Sequence, residues 1–278
     1  MNFPADLSEK YFCLNGEVLP LEQFSTDLLE GENIIYEVIR VKQSTPIFIE
    51  EHLKRFMHSA ASMGYNNIRA DEVIASIKML LKSNPVEEKN LRVTYYQKFT
   101  TSIESVLLIY FIPSRYPSEV EKQRGVYVET LEAERYNPTI KVENKALRAI
   151  ANEILTTGQC YEVLLVDHNG NITEGSRSNV FFIINNKVIT APDHLVLGGI
   201  TRQKVVDICK RNSLQLEFKC LNINEIGNIS GCFITGTSPG VLPVSKIDSI
   251  NLSKIPGIIY QIADEYEKMV NTCQKNWR

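Results

Sequence analysis

The order of strand-like and helix-like stretches predicts an α/β protein of two domains. Three observations carry this expectation. Short apolar runs of strand length alternate with stretches whose apolar residues recur at helical spacing. Near the start, Asn15-Gly16 sits between two apolar runs, the pattern of a tight hairpin turn. Further on, Pro113-Ser114-Arg115-Tyr116-Pro117-Ser118 breaks the pattern and leads into a charge-rich run ending at Gly125. That break predicts a small N-terminal α/β domain over 1–113, a linker over 114–125 and a larger domain over 126–278.

In the first half, Tyr11–Leu14 and Glu17–Leu19 form the arms of the hairpin, because Asn and Gly both accept positive φ at its turn. Asn33–Val41 reads as a strand, with Ile35, Glu37 and Ile39 on one face and Tyr36, Val38 and Arg40 on the other. Pro46-Ile47-Phe48 reads as a short strand before a helix over Glu50–Met63, whose Leu53, Phe56, Met57, Ala60 and Met63 make an apolar stripe. Arg55 falls off that stripe. A second helix over Ala70–Ser83 buries Val73, Ile77, Leu80 and Leu81 and stops at Asn84-Pro85. Two strands follow, Leu91–Gln97 and Ile103–Ile112; the second is apolar throughout, as a central strand is.

Beyond the break, Val126–Leu131 is a strand, and Arg135–Thr139 is a loop that delivers Ile140-Lys141. Asn144 is placed to cap a helix over Lys145–Thr156, with Ala146, Ile150 and Ile154 along one side. Strands are expected at Tyr161–Asp167, Asn171–Thr173, Val180–Ile184, Lys187–Thr190, Glu217–Cys220 and Cys232–Thr235. A helix starts near Thr201 and runs to Arg211, and an amphipathic helix over Pro256–Cys273 presents Ile258, Ile262, Tyr266 and Met269.

The composition narrows the classes of function. A net charge of −3 without a basic block gives no footprint for nucleic acid. No run approaches the ~18 apolar residues of a membrane span, and the first ten residues contain no apolar export core. Six dispersed cysteines without a Cys-x-x-Cys pair read as free thiols of the cytoplasm. Four histidines without ligand spacing point to no metal site.

The stretch 139–179 holds the residues with chemistry. It carries Lys141 and, further on, Glu174 beside Gly175 and a serine-rich turn. A free lysine, with a pKa of about 10.4, is a poor nucleophile at neutral pH, so one that bonds an aldehyde must be held away from bulk water. Ile140-Lys141-Val142-Glu143-Asn144, Leu164 to Gly170, Glu174-Gly175-Ser176-Arg177-Ser178-Asn179, Gly199-Ile200-Thr201-Arg202 and Thr235-Gly236-Thr237 occur in that order, after His52-Leu53-Lys54-Arg55-Phe56. This series resembles the class IV, or fold type IV, pyridoxal-phosphate aminotransferases. That group includes branched-chain and D-amino-acid aminotransferases and aminodeoxychorismate lyase. The resemblance covers about residues 10–250.

The resemblance implies an α/β fold of two domains with pyridoxal 5'-phosphate in the cleft between them, the larger domain holding most of the cofactor motifs. It makes Lys141 the catalytic, cofactor-bonding lysine and Lys145 its rival. Glu174 becomes the partner of the pyridine nitrogen. Arg55, Gly199, Ile200, Thr201, Thr237 and Ser238 become phosphate ligands, and Ser178 and Asn179 belong to the cofactor-binding motif. Tyr36 and Val38 line the substrate pocket, and Arg92 or Arg40 supplies a cation for the substrate carboxylate. The chain departs from the family at Asn33-Ile34-Ile35, where a glycine is usual, and at Gly198, where a proline is usual. The substrates implied are small amino acids and 2-oxo acids, with no nucleic acid or membrane partner, and the assembly implied is a homodimer. Three readings follow: an aminotransferase of branched-chain or D-amino-acid type, an aminodeoxychorismate lyase, and a non-catalytic homologue that binds the cofactor.

Overall fold

The computed structural model of the chain describes residues 7, 9–99, 103–252 and 254–276. The stretch 1–10, read above for an export core, falls largely outside them. The chain forms two compact units. The first comprises Met1–Ser114, Ile140–Glu143 and Thr272–Arg278, and the second Arg115–Thr139 and Asn144–Asn271.

The first unit opens with the hairpin of β1 (Tyr11–Leu14) and β2 (Glu17–Pro20). Asn15 and Gly16 hold φ of 49° and 87° at its turn, where glycine carries no steric penalty. Then come β3 (Ile35–Lys42), β4 (Thr45–Pro46), α1 (Ile49–Ser62), α2 (Ala70–Ser83), β5 (Glu88–Phe99) and β6 (Ile103–Ile112). Among the described residues the strands form one antiparallel sheet in the order β2-β1-β6-β5-β3-β4. Leu53, Phe56 and Ala60 of α1 and Val73, Ile77 and Leu80 of α2 pack on one face with Ile35, Ile39, Leu91, Ile109 and Phe111. Phe12, Tyr96, Val106, Leu108 and Tyr110 make a second cluster. The unbroken apolar run of β6 follows from this, since its alternate residues enter different cores. Each fully buried Leu or Phe there contributes ~1.5–3 kcal/mol. The strand expected at Pro46–Phe48 ends early: Phe48 turns left-handed, with φ 54°, and starts α1.

The second unit contains α3 (Glu119–Arg124), β7 (Val126–Glu132), α4 (Lys145–Thr157), β8 (Glu162–Val166), β9 (Asn171–Gly175), β10 (Asn179–Ile184), β11 (Lys187–Thr190), α5 (Ile200–Arg211), β12 (Leu216–Phe218), β13 (Leu221–Asn222), β14 (Gly231–Gly236), β15 (Gly240–Ile247), β16 (Ile250–Asn251) and most of α6 (Gly257–Asn276). Its sheet runs β12-β11-β10-β14-β15-β7-β8-β9-β13, with β16 beside β15. Among the described residues three pairs are parallel: β11 with β12, β15 with β7, and β7 with β8.

Three further features differ from the expectations or went unread. The charge-rich run contains α3, closed by a capping box in which Ser118 and Glu121 exchange hydrogen bonds. The inward face of α4 is Leu147 and Ala151, whereas Ala146 and Ile150 are exposed, Ile150 at 50%. β15 was not anticipated; it lies between β14 and β7 with Pro243 opposite Phe233.

Candidate active site

In the first unit the segment Ile140–Glu143 is laid along the start of β3. Ile35 and Val142 pair as an antiparallel bridge. The Tyr36 amide donates to the Lys141 carbonyl at 3.1 Å, the Glu143 amide to the Ile34 carbonyl at 2.9 Å, and the Lys141 amide to Ser59 Oγ at 3.2 Å. The lysine backbone is thus fixed on both sides, and Val142 packs on the α1–α2 core. Lys141 Nζ lies 4.7 Å from the centroid of the buried Tyr36 ring, a cation–π contact that draws the amine against an apolar wall.

Around this lysine stands a layer of charge. Glu37 is buried on the opposite face of β3 from Tyr36, as strand alternation requires. Its carboxylate accepts from Arg55 Nε at 2.7 Å and Nη2 at 2.6 Å and faces His52 Nδ1 at 2.7 Å. Arg55, off the stripe of α1, is therefore held by an acid. Burial pushes the Glu37 carboxyl up, but Arg55 and His52 outweigh it and bring it down to about 2. His52 is held below its ordinary value, chiefly by burial, with Arg55 and Lys141 adding to the effect against the pull of Glu37. On β5, Arg92 sits opposite Val38, stacks 4.7 Å from the Tyr36 ring and donates to Glu143 Oε1 at 2.8 Å. Arg40 lies two residue pairs farther along, opposite Asn90, and donates to Glu88 at 2.8 Å. The first unit therefore brings Tyr36, Arg92 and Lys141 together, while Arg40 is engaged with Glu88 farther along the strands.

In the second unit Glu174, 2% exposed near the end of β9, is held on every side. Arg135 Nε donates to Oε1 at 2.8 Å, and Oε2 accepts from the Leu197 amide at 3.0 Å and, more weakly, from Asn179 Nδ2 at 3.4 Å. Arg135 also donates to the Ser176 carbonyl at 3.1 Å, so it fixes both ends of the Glu174–Ser176 turn. Asn179 donates to the Leu197 carbonyl at 2.9 Å. Gly199 makes room for this: a Cβ there would lie 2.1 Å from Asn179 Oδ1. Such a neutralised, buried carboxylate keeps its place because removing its cation would cost on the order of 3–5 kcal/mol.

Gly199 is also the N-cap of α5 and has no side chain with which to cap it. The helix therefore presents its first amides, of Ile200 and Thr201, without a cap from Gly199, the form that receives an anion. Thr201 Oγ1 lies 3.3 Å from Tyr266 Oη, and the Tyr266 ring also abuts Gly240. The β14–β15 turn carrying Thr237 and Ser238 closes at the Gly236–Gly240 pair, so Tyr266 sets that turn beside the first turn of α5. Ser178 and Thr235 hold buried hydroxyls without hydrogen-bond partners among the described residues. Arg202, the last residue of the Gly-Ile-Thr-Arg motif, is buried and engaged with Asp193 and the Ala191 carbonyl. Lys145 is exposed at the first turn of α4.

Arg135, Glu143, Glu37 and His52 were not picked out by the sequence as site residues. The His-x-x-Arg pattern held a signal for His52, which lies one helical turn before Arg55. Arg135 and Glu143 are joined to their partners across 39 and 51 residues, and no local pattern announces such pairs.

The family model "Amino-transferase class IV" matches residues 34–247. The chain is 28% identical over 262 residues to the D-alanine aminotransferase of Bacillus licheniformis, covering 87% of this chain and 90% of that protein. It is also 28% identical over 282 residues to a probable branched-chain-amino-acid aminotransferase of Rickettsia felis, covering 92% of each. Among solved structures it is similar to the branched-chain aminotransferase of Thermoproteus uzoniensis with norvaline, at a TM-score of 0.84, 22% identity and coverage of 97% and 96%. The holo, PLP-form enzyme of Thermobaculum terrenum superposes with a TM-score of 0.83 at 21% identity, covering 96% and 97%. These structures share the α/β, fold type IV architecture. With motifs, fold and family model in agreement, the chain belongs to the class IV aminotransferase family.

Proposed function

We propose that this chain is a pyridoxal-phosphate-dependent aminotransferase that passes an amino group between an aliphatic amino acid, of branched-chain or D-alanine type, and a 2-oxo acid. The observation that carries this reading is Lys141, with its backbone fixed along β3 and its amine against the Tyr36 ring. The residues fit the cofactor by their chemistry. A buried carboxylate suits a protonated pyridine nitrogen, an uncapped helix start beside a Thr-Ser turn suits a phosphate, and orphaned hydroxyls at Ser178 and Thr235 are donors in reserve.

Pyridoxal phosphate, when bound, supplies an aldehyde that accepts the amino group and a ring that draws electrons from the substrate Cα. Lys141 would hold the cofactor at its aldehyde carbon and would be the base that moves the proton at the substrate Cα. Glu174 would hold the proton at the ring nitrogen, and Arg135 and the Leu197 amide hold Glu174 in place. The amides of Ile200 and Thr201, with Thr237 and Ser238, would bind the phosphate and Arg55 would add charge to it, while Asn179 steadies the loop before Gly199. Tyr36 and Val38 form the substrate wall, and Arg92 is the cation at that wall. The six free thiols support a cytoplasmic setting, and the family resemblance supports a homodimer.

The test is a panel of L- and D-amino acids, each given to the holoenzyme with pyruvate or 2-oxoglutarate, on material whose mass is measured in solution. Transfer from L-branched-chain amino acids or from D-alanine, by a species of two chains, is expected. An absence of transfer from every donor contradicts the activity, and full activity in a single-chain species contradicts the dimer.

A further inference from the structure

Arg92 and Glu143 form an ion pair for which amino transfer itself gives no reason. Their side chains are 13% and 14% exposed, and Nη2 lies 2.8 Å from Oε1. Arg92 Nε is buried without a partner among the described residues, so Glu143 takes the guanidinium at one nitrogen instead of in a two-point grip. The pair belongs to the substrate wall. Arg92 stacks on the same Tyr36 ring that Lys141 Nζ faces, each at 4.7 Å from its centroid, and Glu143 is two residues from Lys141.

All 2-oxo acids share one carboxylate, and they differ in whether the side chain carries another. A guanidinium in a dry wall is a strong receptor for a carboxylate, because its planar fork matches two oxygens. When that guanidinium is already held by an acid, a second substrate carboxylate must strip it from its partner and then lie beside that partner's charge. The reading rests on the aminotransferase assignment above. We propose that Glu143 determines specificity: by occupying Arg92 it selects acceptors with one carboxylate, of the class of pyruvate, over acceptors with two, of the class of 2-oxoglutarate.

The experiment compares the holoenzyme with Glu143→Gln, Glu143→Asp and the double variant Glu143→Gln/Arg92→Gln. kcat/KM is measured for pyruvate and 2-oxoglutarate, and calorimetry gives binding of the unreactive acids butyrate and glutarate. Glu143→Gln keeps the side chain's shape and releases the Arg92 charge. It is expected to raise the 2-oxoglutarate-to-pyruvate ratio at least tenfold and to tighten glutarate similarly, with butyrate within about threefold. Glu143→Asp is expected to keep the parent ratio, and the double variant to return toward it. An unchanged ratio in Glu143→Gln overturns the proposal, as does an equal change in Glu143→Asp, which would mark Glu143 as a packing residue. A parent enzyme inactive with every acceptor overturns the aminotransferase reading and this one with it, whereas an active parent with a flat ratio overturns this one alone.

Discussion

At Glu37 two opposed forces meet, and their balance sets how the first unit responds to acid. Burial raises its carboxyl, while Arg55 and His52 lower it further than burial lifts it, from an ordinary 4.5 to about 2. A carboxyl depressed on folding contributes stability that is complete above its unfolded value and is lost as pH falls through its folded value. For Glu37 that window runs from pH 4.5 down to about 2, and the shift corresponds to roughly 3 kcal/mol. His52 is also depressed, so it too withdraws stability as pH falls below its ordinary 6.5. Urea midpoints between pH 7 and pH 2.5 should therefore fall more steeply in the parent than in Glu37→Gln below pH 4.5. Parallel curves would show that the Arg55–Glu37–His52 contacts carry no such linkage.

Among the elements, α4 shows why an asparagine follows Lys141 at three residues. Asn144 Oδ1 accepts from the Leu147 amide at 3.0 Å and caps the helix that starts right after the Lys141 segment. Asn144→Ala should lower the unfolding free energy by about 1 kcal/mol, and Asn144→Asp should keep most of it. Denaturant unfolding of the two variants checks this; equal stability in the alanine variant would mean the cap contributes nothing. The cap was legible because Asn and a following apolar period are local signals. The hairpin at Asn15-Gly16 was legible for the same reason. The buried face of α4 was not, because a helix with Ala146, Leu147, Ile150, Ala151 and Ile154 offers two apolar stripes, and only the neighbouring β8 sheet decides between them. β15 hid behind Pro243, which ordinarily argues against a central strand. α3 hid behind its charges, although Ser118 and Glu121 spell a capping box.

For the whole molecule, the residues proposed to serve the cofactor are drawn from distant parts of the chain. Lys141 belongs to a four-residue segment counted with the first unit, and Glu174 and the start of α5 belong to the second. Periodicity alone gives each lysine and acid an ordinary surface role; only the order of several motifs singled out Lys141 and Glu174. The partners that hold them, Ser59, Tyr36 and Arg135, come from α1, β3 and the loop after β7, and folding alone brings them in. The central claim is that Lys141 bonds the cofactor, and it separates cleanly from Lys145, which lies exposed in the first turn of α4. The direct measurement is borohydride reduction of the yellow holoenzyme, followed by peptide mapping of the reduced pyridoxyl group. The account predicts the label on Lys141 and its loss, with all turnover, in Lys141→Ala; label on Lys145, or an active Lys141→Ala enzyme, would contradict it.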